Sequence, residues 1–199
     1  MSKRTIAFTY RTMRTLKLQV QLSVDGYIAG PNGEMDWLVW NWDDALKAYV
    51  GALTEPVDTI LLGRKLAEGF IPAWDAYLNS PEPVDGAQKM VETPKVVFTK
   101  TITESPWENV AVANGELVAE ITALKQQTGG DLIAYGGGTF VSSLIEAGLI
   151  DEYHLFVNPV ALGQGMPIFK SLAQQQPLTL VKATAFACGI VVLHYTLRT

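Results

Sequence analysis

The chain has 199 residues, 48% hydrophobic and 18% charged, with a formal net charge of −5 and a mean hydropathy of +0.16. A chain this long buries about 70% of its unfolded surface in one domain, and its composition excludes a disordered protein. No apolar run approaches the roughly 18 residues of a membrane span, and the acidic balance excludes a nucleic-acid surface on the body of the chain.

The first 17 residues carry Lys3, Arg4, Arg11, Arg14 and Lys17 with no acidic residue, so the rest holds ten basic against 20 acidic residues. Residues 1–12 read as an extension ahead of one domain at 13–199, because Met13 directly precedes the first strong strand signal. Ile6, Phe8 and Tyr10 alternate within that extension, which leaves an edge strand open there. Leu16, Leu18, Val20 and Leu22 alternate with polar residues and predict a strand. Residues 23–37 form a long glycine-bearing connection, a length that in compact domains often marks function. A helix is expected over 43–53, with Asp43 and Asp44 in its first turn. An apolar strand follows at 57–62, ending on Gly63.

Residues 70–94 are rich in Pro, Asn and Asp and read as loop with a short helix at 87–91. Strands are expected at 95–99 and 110–113, and a helix at 116–127 with Leu117, Ile121 and Leu124 on one face. A strand at 132–135 runs into Gly136-Gly137-Gly138, followed by a helix at 139–147 and a strand at 152–157. The chain ends in a hairpin of strands at 178–186 and 190–197. Strands alternating with helices predict an α/β domain, its mostly parallel sheet flanked by helices, with the terminal hairpin adding antiparallel strands.

Cys188 is the only cysteine, so no internal disulfide exists and a reducing, cytoplasmic setting is expected. With His154 and His194 it makes three Cys/His ligands, short of the four a structural zinc site takes, and no metal is expected. Cys188 reads as an inert hairpin residue and both histidines as structural. No serine-nucleophile elbow or Gly-Lys-Ser/Thr phosphate loop is present. The reactive group is therefore expected to come from a bound cofactor.

Three strand ends carry the residues for holding one. Tyr135-Gly136-Gly137-Gly138-Thr139 lies between a strand and a helix, where glycines admit a close ligand and the helix offers free N–H groups to a pyrophosphate. A tight turn needing positive φ explains the same glycines. Gly63-Arg64-Lys65 and Thr99-Lys100 close two further strands; their cations suit the ribose phosphate of NADP or are solvated surface charges. Asp25, Glu34 and Asp36 are candidate acids in the long loop, since a raised carboxyl pKa suits proton relay. Asp25-Gly26 is otherwise a turn. Trp37, Trp40 and Trp42 offer a wall for a planar heterocycle, or core packing.

These residues bring a family into view. Ser23 to Ala29, Asp36-Trp37, Leu62 to Lys65, Val97 to Lys100, Tyr135 to Thr139, and the stretch from Ile150 through Pro159-Val160 and Gly163-Gln164-Gly165 to Phe169 resemble, in order, the RibD C-terminal reductases and their dihydrofolate-reductase-like relatives. The resemblance implies a dihydrofolate-reductase-like three-layer α/β fold and NADPH as hydride donor. It implies that Arg64 and Lys65, with Gly63, Thr99 and Lys100 nearby, meet the 2′-phosphate, that Gly136, Gly137, Gly138 and Thr139 take the pyrophosphate, and that Ala29 faces the nicotinamide. Asp25, Asp36 and Trp37 are the implied catalytic group, with Asp43 and Asp44 as other candidates for proton delivery. The implied activity resembles the 5-amino-6-(5-phosphoribosylamino)uracil reductase of riboflavin biosynthesis. A dihydrofolate or pteridine reductase, and a non-catalytic NADP(H)-binding protein of the same fold, are the alternatives. A homodimer is implied; the zinc-deaminase signature of the bifunctional riboflavin enzyme is absent from the sequence.

Overall fold

The structure, a computed structural model, describes residues 13–170 and 172–198. The extension at 1–12, with its alternating Ile6, Phe8 and Tyr10, lies outside the described residues.

Strand β1 (Leu16–Leu22) sits deep in the sheet. Its polar residues Lys17 and Gln19 are buried along with the leucines, so the alternation here separates an apolar face from a covered polar one, not from solvent. A three-residue strand, β2 (Tyr27–Ala29), follows. Helix α1 (Asp44–Thr54) is capped by Asp43, whose side chain accepts from the Leu46 N–H. Strand β3 (Val57–Gly63) leads directly into α2 (Arg64–Leu78).

Helix α2 corrects the expectation of loop from residue 70, since it runs on to Leu78; the short helix expected at 87–91 is present as a helix over Ala87–Glu92. The fifteen residues of α2 run through Pro72, which has no N–H to donate to the preceding turn. Packing carries the helix across that defect: Ala67 and Ile71 are buried, and Phe70 stacks on Tyr135 at 5.5 Å and meets Trp74 at 5.9 Å. Pro72 itself is exposed.

The remaining elements are α3 (Ala87–Glu92), β4 (Lys95–Phe98), β5 (Val110–Ala113), α4 (Leu117–Gln126), β6 (Asp131–Ala134), α5 (Gly138–Glu146), β7 (Glu152–Val157), β8 (Met166–Pro167), β9 (Leu178–Ala185) and β10 (Val191–Leu197). Eight strands form one sheet in the order β5-β4-β3-β6-β1-β7-β10-β9. From β5 to β7 every pairing is parallel; β10 pairs antiparallel with β7 and with β9. Strands β2 and β8 make a separate antiparallel pair, each too short to show a period in the sequence.

Two apolar cores cover the two faces of the sheet. Leu18, Leu61 and Leu132 pack with Ile121, Val141 and Leu144 from α4 and α5. Ile60, Leu62 and Ile133 pack with Leu46, Ala67 and Met90 from α1, α2 and α3. The result is the expected α/β three-layer architecture, with a mostly parallel sheet between helices and a C-terminal antiparallel hairpin.

Candidate functional site

The carboxyl ends of the parallel strands meet along one edge of the sheet. Because β6 lies between β3 and β1, the loop that follows it is flanked by the Gly63-Arg64 turn on one side and the segment after β1 on the other. Gly136 and Gly137 have φ of +144° and +83°, values that residues with a Cβ rarely adopt. A Cβ at Gly138 would come within 3.3 Å of Ile28, one at Gly137 within 3.6 Å of Leu66, and one at Gly63 within 2.8 Å of the Phe140 Cβ. Three segments far apart in sequence are thus pressed together around the glycine loop. Phe140 also stacks on Phe98 at 4.9 Å, linking the end of β4 to the same cluster.

Helix α5 starts at Gly138 with no side-chain cap. Its first-turn N–H groups stay available at a positive dipole end, a donor set that fits a pyrophosphate. The cations are arranged less freely. The Arg64 guanidinium pairs with Glu68 one turn along α2. Lys100 donates to the carbonyls of Asn114 (2.9 Å) and Gly115 (2.6 Å). Lys65 is exposed and has no ion pair among the described residues. The Thr99 hydroxyl lies 3.1 Å from that of Thr101, and Thr139 is exposed on the first turn of α5.

Asp25 departs from the expectation of a raised carboxyl pKa. The Ser23 hydroxyl donates to its carboxylate at 2.7 Å, and the N–H groups of Leu162 (3.1 Å) and Gly163 (2.6 Å) donate to it from the loop after β7. These hydrogen bonds, that of Ser23 foremost, favour the ionised form and hold its pKa down at about 2. Asp25 is a clamp between two loops rather than a poised acid. The Asp43 carboxylate is likewise occupied, capping α1 and accepting from the Cys188 N–H at 3.0 Å, and its pKa is lowered by those amides. Glu34 turns back on its own loop, accepting from the Asn32 side chain at 2.7 Å.

Asp36 and Asp44 are exposed and make no hydrogen bond among the described residues. Trp37 is half-buried, its indole N–H donating to the Glu34 carbonyl at 3.0 Å. The three tryptophans do not form one wall: Trp42 packs against Phe156, whereas Trp40 is 70% exposed. Neither Asp36 nor Trp37 is hydrogen-bonded to the glycine loop.

Asn158 is a residue that sequence reading passed over. Fully buried at the carboxyl end of β7, it accepts from the Val39 N–H at 3.0 Å and donates to Gln21 Oε1 at 2.9 Å. It ties the loop before α1 to the ends of β1 and β7. A single asparagine next to a proline carries no signal of such a role in sequence.

Comparison with known proteins adds to this geometry. The model of the RibD C-terminal domain family matches residues 14–192. The uncharacterized protein YyaP of Bacillus subtilis (strain 168) is 32% identical over 186 residues, covering 92% of this chain and 94% of YyaP. A solved putative riboflavin biosynthesis protein from Shewanella sp. PV-4 superposes with a TM-score of 0.72 at 25% identity, over 93% of this chain and 99% of that one. Dihydrofolate reductase from Enterococcus faecalis, solved with NADP(H), shares the fold with a TM-score of 0.62 at 19% identity, covering 93% and 97%.

Proposed function

The chain belongs to the RibD C-terminal domain family, and from that membership we propose that it is an NADPH-dependent reductase of a small heterocycle, of the kind that reduces a phosphoribosylamino-uracil in riboflavin biosynthesis. The observation that carries this reading is the approach of Leu66 and Ile28 to Gly136–Gly138, with Gly63 against Phe140 just beyond, at the strand ends where ligands of open α/β sheets bind. The uncapped start of α5 and Thr139 are suited to the pyrophosphate. Lys65, with Arg64, Thr99 and Lys100 beside it, is suited to the 2′-phosphate that separates NADPH from NADH. Ala29, on β2, would border the nicotinamide.

The cofactor supplies a hydride to the carbon of a C=O or C=N function of the substrate, whose oxygen or nitrogen takes a proton. Asp36 is the carboxylate of the long loop assigned to that proton, because Asp25 is held ionised by the Ser23 hydroxyl and the amides of Leu162 and Gly163; Asp44 is the other candidate unpartnered among the described residues. Asp25 sets the position of the loop that carries β2, and Trp37 supplies a planar face for the heterocycle. The role of Asp43 as helix cap weighs against a dihydrofolate reductase with its acid at the start of this helix. No helix among the described residues is long and apolar enough to cross a membrane, and a cytoplasmic homodimer acting on a small molecule is the working picture.

Titration with NADPH and NADH, followed by quenching of tryptophan fluorescence, tests the cofactor. Micromolar binding with a clear preference for NADPH is expected. Binding of neither overturns the reductase reading, and equal binding of both removes the 2′-phosphate assignment. With the cofactor established, oxidation of NADPH in the presence of pyrimidine and pteridine substrates separates the riboflavin-type reductase from a pteridine reductase. Binding without turnover of any of these identifies the non-catalytic alternative.

A further inference from the structure

A second cluster of chemistry-bearing side chains lies toward the other end of β7, on the sheet face covered by α1. Residues 152 and 154 point to one face of β7, as residues two apart on a strand do. His194 on β10 is the cross-strand partner of His154. Glu152 Oε2 lies 3.3 Å from His154 Nε2 and 3.7 Å from His194 Nε2, and the three donor atoms fall within 4.8 Å of one another. We propose that Glu152, His154 and His194 bind a first-row divalent cation, zinc by their chemistry, which clasps β10 to β7.

The spacing fits. A tetrahedral zinc ion with bonds of about 2.0–2.1 Å holds its donors roughly 3.3–3.4 Å apart. Glu152 and His154 already stand at that separation, and Glu152 and His194 are a few tenths of an ångström beyond it. The two rings stack at 4.2 Å with their planes 19° apart, so closure on the ion needs the His194 ring to tilt toward the carboxylate. Its side chain is 21% exposed and has room to do so.

His194 Nε2 is buried without a hydrogen-bond partner, a cost that a metal bond removes. His154 Nδ1 lies 2.7 Å from the Tyr49 hydroxyl. With Nδ1–H donating to that hydroxyl, the lone pair is on Nε2, the outer contact that orients metal-binding histidines. Burial and its stacked neighbour lower the His194 pKa, which keeps the ring neutral for ligation. Without the ion, a proton on His154 Nε2 bonds Glu152 Oε2 and favours the ionised carboxylate; zinc takes the place of that proton, which shifts to Nδ1. Lys17 faces the site from β1, but its ammonium is paired with Asp131 at 2.7 Å and donates to the Leu53 carbonyl. Lys182, opposite His194 on β9, is exposed.

A count of cysteines and histidines misses this set because the third ligand is a carboxylate. Two imidazoles and one carboxylate leave a fourth position open for water or another ligand, as three-ligand zinc sites do.

Equilibrium dialysis of the full chain against zinc chloride tests the proposal, using tag-free protein with Cys188→Ser to remove the thiol. One equivalent of zinc is expected, and His194→Ala should weaken it by more than the roughly 10- to 100-fold that loss of an outer-shell partner causes. Tyr49→Phe should fall within that 10- to 100-fold range. Cobalt(II) in place of zinc should give an intense visible absorption band in the Cys188→Ser parent and not in Glu152→Gln. Thermal midpoints should rise with free zinc in the parent but not in His194→Ala, a comparison that leaves the buried His154 in place. Absence of stoichiometric zinc, or binding undiminished in both His194→Ala and Glu152→Gln, overturns it. NADPH titration of His194→Ala runs independently, since the two sites occupy different parts of the sheet.

Discussion

The Asp25 carboxylate receives the Gly163 N–H at 2.6 Å, joining two loops 138 residues apart in sequence. This bond fixes β2 against β8 at the mouth of the proposed cofactor site, so its effect is readable by titration. The folded pKa of Asp25 lies near 2, below its ordinary value of 3.8. A depressed carboxyl pKa contributes stability above the unfolded value and loses it as pH falls through the folded one. The gap in thermal midpoint between the wild type and Asp25→Asn should therefore be constant above about pH 5 and close between pH 4 and pH 2. A gap unchanged at pH 2 would show that the charge of Asp25 is not what joins the loops.

Arg64 and Glu68 compete with any phosphate for each other. Arg64→Ala should weaken NADPH by about 10- to 100-fold, the equivalent of one charged hydrogen bond of about 1.5–3 kcal/mol, and leave NADH nearly unchanged. Glu68→Gln frees the guanidinium and should tighten NADPH. Paired titrations of both cofactors against the two variants check this, and equal weakening of NADH in Arg64→Ala would remove the arginine from the phosphate site.

Gly63 has an ordinary extended backbone, so only space keeps it glycine. In Gly63→Ala the new methyl meets the Phe140 Cβ at 2.8 Å, and overpacking of this kind costs about 1–3 kcal/mol. A urea midpoint should fall accordingly and cofactor affinity should fall with it, because Phe140 lies just past the glycine loop. An unchanged midpoint would mean that α5 yields freely.

Pro72 deprives α2 of one backbone hydrogen bond. Pro72→Ala restores the N–H at an exposed position and should stabilise the protein by about 1–3 kcal/mol, measured by chemical denaturation. A loss of stability would indicate that the proline shapes a bend the aromatic contacts of Phe70 and Trp74 require.

The sequence is most legible where period and punctuation agree. The glycines at 136–138, the strand at 57–62 and the C-terminal hairpin were visible because each joins an apolar run to a turn residue. The extent of helix α2 past residue 70 was not, since Pro72 argues locally for a break while the burial of Ala67 and Ile71 that overrides it is tertiary. The position of Asp25 was legible and its chemistry only in part: the Ser23 hydroxyl, two residues away, is the foremost cause of its lowered pKa, and the amides of Leu162 and Gly163 that add to it are delivered by the fold alone. The same holds for His154 and His194, whose pairing depends on the register of β10 against β7.

Strand β1 is the first strand among the described residues and waits long for a partner. Both of its hydrogen-bonding neighbours, β6 and β7, begin beyond residue 130, so a chain leaving the ribosome carries Leu16, Leu18, Val20 and Leu22 for more than a hundred residues with no strand to join. Completion of the sheet around β1 waits on late, long-range closure, the kind of contact that slows folding and leaves apolar edges open to other chains. During synthesis the period of greatest exposure to aggregation therefore ends only as the glycine loop and the strand after it emerge.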